Sequence, residues 1–227
     1  MTKKIPDHQL IYQKIRDAIL FGALVPGQAV TIQGLTARTG AGMTPVREAI
    51  RRLTAEGALR LMDNRRIVVP KLSADEIAQL NTARQAIEPK MAEMAAKSAD
   101  EALMRQLAGI DAELDQAISS GDVENYLLLN YRFHFAIYNH SGAEILCQMA
   151  QSLWLRSGPS LRVVCGRFGT TNLPDMHSDM IAAFRANDSK RAAAAMAEDI
   201  EQGMSQIRAA LENDTEERRL DASALVK

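Results

Sequence analysis

Cysteine, aromatic side chains and long apolar runs are all scarce in this sequence, and each scarcity excludes a class of protein. There are only two cysteines, Cys147 and Cys165, and their spacing fits neither a CxxC redox pair nor a zinc ribbon. A disulfide-stapled scaffold is therefore excluded, and two buried or idle thiols in a reducing compartment are expected. No stretch approaches the roughly 18 consecutive apolar residues that cross a bilayer, and the opening MTKKIPDHQ lacks the apolar centre of a secretion signal. The expectation is a cytoplasmic protein with no membrane partner. A phosphate-cradling Gly loop and a dinucleotide fingerprint are also missing, which removes the common nucleotide-dependent enzymes. Aromatic residues make up 4% of the chain, while Ala, Leu, Ile and Met supply the candidate interior, a composition suited to close helix packing.

Charge is unevenly distributed. The net charge of −1 over 227 residues conceals two opposite halves. Residues 1–70 hold eleven Lys and Arg against five Asp and Glu, a net +6, and the remainder holds sixteen against twenty-three, a net −7. Clustered positive charge is what binding to a phosphate backbone requires, and an acidic surface is repelled from it. The length suits two domains, since domains commonly run to about 100–150 residues.

The basic half contains the most informative segment, TPVREAIRRLTAEGAL from Thr44 to Leu59. Thr44 reads as a helix N-cap and Pro45 as the first helical residue, where no N–H is needed. Val46, Ala49, Ile50 and Leu53 share one face at helical spacing, which turns Arg47, Arg51 and Arg52 outward. Upstream, Leu10, Ile15, Ile19 and Leu24 predict an amphipathic helix over roughly 8–22. A short helix over about 31–38 follows, ending at Thr39-Gly40. Two short helices across a tight Gly-containing turn, the second carrying exposed arginines, form a helix-turn-helix. After Gly57 the period changes to two, so that Leu59–Leu61 and Ile67–Val69 flank Asp63-Asn64-Arg65-Arg66 as a hairpin with a basic tip. Exposed helical arginines are also commonly only solvated or ion-paired, and Arg52 with Glu56 is one such candidate pair.

The string from Pro26-Gly27 through Leu35, Thr44-Pro45-Val46-Arg47-Glu48-Ala49 and Glu56-Gly57 resembles the GntR family of bacterial transcription regulators. The resemblance implies that Arg47 meets a double-stranded DNA operator in the major groove, that Thr44 binds a phosphate, and that the wing, with Arg65 and Arg66, lies over the neighbouring backbone, with Arg51 on the same DNA-facing helix. Gln33, Met43 and Arg66 depart from the residues common at these positions, which makes the operator sequence this chain's own.

From Ser73 onward the pattern is helical, and no convincing strand returns. Ser73-Ala-Asp-Glu76 is a capping box opening a helix through Ile77, Leu80, Ala83, Ile87, Met91 and Met94. Further helices are predicted over about 100–118, 123–139, 143–156 (stopping near Gly158-Pro159), 175–186 and 189–211, with an irregular or partly helical stretch through Gly169. Met91, Met94, Met149, Met180 and Met196 read as core filler, and Trp154 as a packing residue. Asn130 and His134 lie one turn apart on one face. His177 and Asp199 come from later helices, and two His with oxygen donors drawn from several helices can form a metal site in a bundle.

This half resembles the FCD ligand-sensing domain of one large GntR subgroup, through Arg84-x-x-x-Glu88, Asn130-x-x-x-His134, His177 and the helix carrying Asp199-Ile200. The resemblance implies that Asn130, His134, His177 and Asp199 hold a divalent metal ion. Because Asp199 is a harder ligand than imidazole, Mn, Fe or Ni is favoured relative to Zn. It also places Arg84 at the pocket, where it could anchor a small carboxylate metabolite. A plain turn-to-turn pair with Glu88 is the alternative. Arg156 and Arg162 are weaker candidates for the same effector-binding role.

The expected fold is mostly α. It has a winged helix-turn-helix over 1–72, an all-α bundle for effector binding and dimerisation over 73–212, and a flexible tail over 213–227. The expected function is a homodimeric transcription regulator, a repressor, sensing a small organic acid. The competing readings are a metal-dependent enzyme with a two-His-one-carboxylate site and an architectural DNA binder.

Overall fold

The computed structural model describes residues 7–168 and 176–224, with side chains placed for 8–165 and 176–213. The chain forms two compact units, Met1–Leu72 together with Trp154–Arg162, and Ser73–Leu153 together with Val163–Lys227.

In the first unit the order is α1 (Asp7–Leu20), β1 (Ala29–Val30), α2 (Ile32–Thr39), α3 (Met43–Ala55), β2 (Arg60–Leu61) and β3 (Ile67–Val68). The three short strands form an antiparallel sheet in the order β1-β3-β2, with Val30 opposite Ile67 and Leu61 opposite Ile67 on the other edge. Helix α3 packs against α1 and α2 through Ile15, Ile19, Leu35, Val46, Ala49 and Leu53, all buried. The stripe of α1 begins at Ile11, whereas Leu10 is 39% exposed. Five residues advance a helix by about 500°, which turns Leu10 well away from Ile15, while four-residue steps keep Ile11, Ile15 and Ile19 together.

The caps of α2 are those the sequence advertises. The Thr31 hydroxyl accepts from Gly34 N at 3.0 Å, and Gly40 closes the helix at φ 68°. Helix α3 starts earlier than predicted, at Met43, with Gly42 as an N-cap that makes no side-chain bond. Thr44 and Pro45 therefore sit inside the first turn. Pro45 is accommodated there because none of the first four N–H groups of a helix has an intrahelical partner, and Thr44 is left exposed with no capping duty.

The second unit contains α4 (Ala74–Lys97), α5 (Glu101–Ser120), α6 (Val123–His140), α8 (Met176–Arg185) and α9 (Ser189–Ala224). Helix α4 lies along α9 and touches α6, α5 packs on α6 and α8, and α8 packs on α9. Ser73 and Glu76 form both halves of the capping box, and Asp100 and Asp122 cap α5 and α6. Met91, Met180 and Met196 are fully buried, but Met149 is 50% exposed and is not core filler. Cys147 and Cys165 are buried thiols, not joined in a disulfide.

Two helix ends differ from expectation. Helix α7 (Glu144–Phe168) runs through Gly158 and Pro159 instead of stopping there. Gly158 serves close packing: a Cβ at this position would lie 2.6 Å from the Leu20 carbonyl oxygen at the end of α1. The expected irregular or partly helical stretch is helical as far as Phe168, and its last residue, Gly169, lies outside the described residues. Helix α9 stays helical to Ala224, past the start of the tail expected from 213. Its last dozen residues contain neither Gly nor Pro and are rich in Glu, Arg and Ala, so nothing local interrupts the backbone ladder.

Candidate functional sites

In the first unit, burial of Val46, Ala49, Ile50 and Leu53 fixes the rotation of α3 and turns Arg47, Arg51 and Arg52 to the surface. Their surroundings divide these three. Arg47 is exposed and has no ionic or hydrogen-bonding partner among the described residues. Arg51 holds Glu48 by Nη2–Oε1 at 2.7 Å and Nε–Oε2 at 3.2 Å. That pair is well exposed, so it contributes little to stability. Arg52 is structural: its guanidinium lies 3.7 Å from the Tyr12 ring centroid, and its Nε donates to Glu56 Oε1 at 2.9 Å. Tyr12 donates to the other Glu56 oxygen at 2.7 Å. Burial, then the Glu56 carboxylate, push the Tyr12 phenol up to about 12. This cluster ties α1 to the C-terminal end of α3.

The wing tip is a three-residue loop. Arg65 N donates to Met62 O and Met62 N to Arg66 O, both at 2.8 Å, and Asn64 Oδ1 accepts from Arg66 N at 3.1 Å. Arg65 takes the left-handed position with φ 61°, where glycine is the usual occupant. A side chain there costs about 1–2 kcal/mol, so a cation is kept at a position where glycine is more stable. Replacing Arg65 or Arg66 by Ala is expected to weaken binding to all duplexes alike and to reduce the salt slope by about one unit. Arg65→Gly should weaken DNA binding equally while raising thermal stability. Fluorescence anisotropy over a salt series checks this. An effect confined to one operator sequence shows instead that the wing reads bases.

In the second unit, α6 carries Tyr126, Asn130, His134 and Tyr138 at four-residue steps, a polar stripe along one helix face. His134 is fully buried and Asn130 nearly so. From α8 comes His177, stacked on Phe133 with centroids 4.1 Å apart, and from α9 comes Asp199. His134 Nε2 lies 3.2 Å from Asp199 Oδ2, and His177 Nε2 lies 3.7 Å from Asp199 Oδ1. One ligand atom from each of the three lies within 4.8 Å of the others. Two donors each about 2.1 Å from a common ion stand roughly 3.0–3.4 Å apart in octahedral or tetrahedral geometry, so these residues fit a divalent ion. Burial pushes the Asp199 carboxyl up. His134, then His177 and Arg84, outweigh it and hold the group at about 2, so Asp199 is an anionic donor at neutral pH.

Around this trio lies a further polar layer. Arg84 and Glu88 on α4 are both buried and face each other through Nε–Oε1 at 2.7 Å and Nη2–Oε2 at 2.9 Å. Burial opposes the guanidinium charge but the Glu88 carboxylate more than restores it, so Arg84 is held above its ordinary value. Arg84 thus makes the turn-to-turn pair that is one of its two readings. Tyr138 donates to Glu88 Oε2 at 2.6 Å, and burial followed by Glu88 pushes its phenol well up. On the other side, Asp111 of α5 lies 3.8 Å from His177 Nδ1. The Asn130–His134 spacing, extended one turn each way, reaches Tyr126 and Tyr138 and is the signal that could have found them. Asp111 has no such signal.

Arg156, the other effector candidate, is placed in the first unit. Because α7 continues past Gly158, the segment Trp154–Arg162 belongs to the first unit. There, Arg156 Nε donates to the Glu56 carbonyl at 3.2 Å, and its guanidinium would lie 2.9 Å from a Cβ at Gly57. Gly57, at φ +78°, is thus required both by the turn after α3 and by this close approach. Arg162 lies in the same segment, against Gly22.

Comparison with known proteins agrees with both halves. Residues 8–69 match the family described as bacterial regulatory proteins, gntR family, and residues 79–202 match the FCD domain. The HTH-type transcriptional regulator McbR of Escherichia coli (strain K12) is 28% identical over 193 residues, spanning 84% of this chain and 87% of that protein. The HTH-type transcriptional repressor GlaR of the same organism is 26% identical over 205 residues, spanning 82% and 88%. The solved structure of E. coli McbR/YncC superposes with a TM-score of 0.83 at 26% identity, covering 89% of this chain and 97% of the other. A putative GntR regulator from Rhodococcus sp. RHA1 shares the fold, with a TM-score of 0.74 at 18% identity over 88% and 96% of the two chains.

Proposed function

We propose, from the premise that this chain belongs to the gntR family of bacterial regulatory proteins and carries their FCD domain, that it is a homodimeric repressor whose helical unit senses a small carboxylate beside a bound divalent ion. The chain is a transcription regulator and not an enzyme, with a DNA-binding gntR region and an effector-binding FCD domain. Among the described residues no helix is long and apolar enough to cross a membrane, and we place the protein's work in the cytoplasm with the DNA. Repression is supported by relatives whose names include repressor. Dimerisation follows from geometry: two winged helices are needed to reach successive major-groove faces about 34–36 Å apart, and a twofold protein matches a palindromic operator.

The observation that carries the sensing half is the cluster of His134, His177 and Asp199. Asn130, one turn from His134 and almost fully buried, would add a neutral oxygen donor. A divalent ion held by this set supplies a Lewis-acidic positive charge to which a carboxylate can bind. The two oxygen donors favour Mn, Fe or Ni relative to Zn. The Arg84 fork faces Glu88, so the effector would be recognised by the ion and by polar groups on its open side, with Tyr126 on the same face of α6. Regulation then requires the effector to bind the DNA-competent and DNA-incompetent arrangements unequally.

Elemental analysis of protein purified without a His tag or chelator tests this reading. One ion per subunit is expected in the wild type. His134→Ala and His177→Ala should each lose it while DNA binding by the first unit persists. A thermal-shift screen of small carboxylates, with and without Mn, Ni or Zn, should show about 2.7 kcal/mol of stabilisation at 100 times the dissociation constant. A wild-type protein that carries no ion and gains no thermal stability from any of the three metals overturns the metal reading and leaves the family assignment standing.

A further inference from the structure

His134 can present either ring nitrogen with a lone pair, and only one choice suits a ligand to an ion beside Asp199. Its Nε2 faces Asp199 Oδ2 at 3.2 Å, and its Nδ1 faces the Tyr138 hydroxyl at 3.2 Å. Were the proton on Nε2, the ring would have no lone pair to offer on that side. The question is what keeps the proton on Nδ1.

The direction of the hydrogen bonds behind Tyr138 supplies the answer. Glu88 faces Arg84 through both carboxylate oxygens at 2.7 and 2.9 Å, which fixes it as an anion that only accepts. The Tyr138 hydroxyl has one proton. It lies 2.6 Å from Glu88 Oε2, against 3.5 Å from the weakly accepting Met196 sulfur, so the proton points to Glu88. Toward His134 the hydroxyl therefore offers only an oxygen lone pair, and His134 Nδ1 must be the donor. All four residues are buried, so bulk water is not at hand to reverse the order.

We propose that Tyr138, oriented by the buried Arg84–Glu88 pair, is a positioning residue that fixes the Nδ1–H tautomer of His134 and thereby turns the Nε2 lone pair toward Asp199 and the ion. This rests on the metal reading above and extends it to three residues that touch no ion themselves. Outer partners of metal-bound His rings commonly act this way, fixing the tautomer and ring orientation, and their loss typically costs about 10–100-fold in metal affinity. Without the Tyr138 hydroxyl, Nδ1 loses the acceptor 3.2 Å away, and the neutral tautomer shifts toward Nε2–H, on the side of the anionic Asp199.

Tyr138→Phe keeps the ring and removes only the hydroxyl. Competition titration of the full chain with Zn(II) against a chromophoric chelator is expected to show about 10–100-fold weaker binding than the wild type. In 15N spectra of the wild-type apoprotein, above the imidazolium titration, His134 should show a pyrrole-type Nδ1 and a pyridine-type Nε2, and the two should exchange in Tyr138→Phe. A role limited to packing would lower the thermal midpoint but leave this tautomer pattern unmoved. Affinity in the variant within threefold of wild type, or an Nε2–H tautomer in the wild type, overturns the positioning role while the metal site stands. Failure of the wild type itself to bind Zn(II) overturns the metal reading and this inference with it. Should the variant not fold, the wild-type tautomer alone decides the matter.

Discussion

Arg47→Ala is expected to abolish specific operator recognition while leaving the fold and the proposed dimer intact. The three arginines of α3 have different surroundings, and that difference sets the expectation. Arg47 is exposed and has no partner among the described residues, so nothing in the folded state depends on its charge. A lost base contact typically costs about 1–3 kcal/mol of discrimination, and a twofold dimer loses it twice, roughly 2–6 kcal/mol in all, enough to bring many specific complexes down to the non-specific level. The measurement is a gel shift on an operator selected from random duplexes with the wild-type protein, beside a thermal midpoint. Affinity unchanged within a factor of two sinks the assignment. Arg52→Ala is the informative control, because removing its contacts with Tyr12 and Glu56 should lower the stability of the first unit.

The largest expected loss of stability comes from Glu88→Ala. Glu88 is 0% exposed and Arg84 is 7% exposed, so the substitution leaves a guanidinium buried without its counter-charge and a Tyr138 hydroxyl without its acceptor. Breaking a buried pair from one side typically costs about 3–5 kcal/mol, a large share of a total stability of about 5–15 kcal/mol. Replacing both partners with apolar residues is a different matter, because it removes the desolvation penalty together with the attraction. Arg84→Met with Glu88→Leu is therefore expected to recover most of the loss in urea unfolding, yet to lack the orientation of Tyr138 and so remain weak in binding the ion. A single Glu88→Ala variant within about 1 kcal/mol of wild type would show that the pair is not electrostatically isolated from solvent.

The polar centre illustrates how far a one-dimensional pattern reaches. Asn130 and His134 are visible as a pair because they are one helical turn apart, and His177 and Asp199 as polar interruptions of later helices. That Asp199 faces both imidazoles, 3.2 and 3.7 Å away, follows from the packing of α8 and α9, which residue spacing does not encode. Tyr138 lies on the same four-residue series and was legible in principle. Its role was not, since that depends on Glu88 arriving from α4, fifty positions earlier in the chain. The expected end of α7 shows the opposite error. Gly158-Pro159 reads locally as a helix stop, but the glycine answers to the Leu20 backbone, a contact between positions far apart in sequence.

The sequence by itself determined the class of this protein: the division of charge between a basic first third and an acidic remainder, the caps and periods of the winged helix-turn-helix, and the helical pattern after Ser73. These are local properties, set by steric preference and by which face of a helix or strand is apolar. The tertiary structure alone decided which arginines of α3 are braced and which is presented. It also decided that Arg84 faces Glu88, and that a tyrosine stands behind His134. Such choices depend on distances between groups far apart in the chain, in a buried setting where one proton or one charge has few alternative partners, and no local pattern contains them.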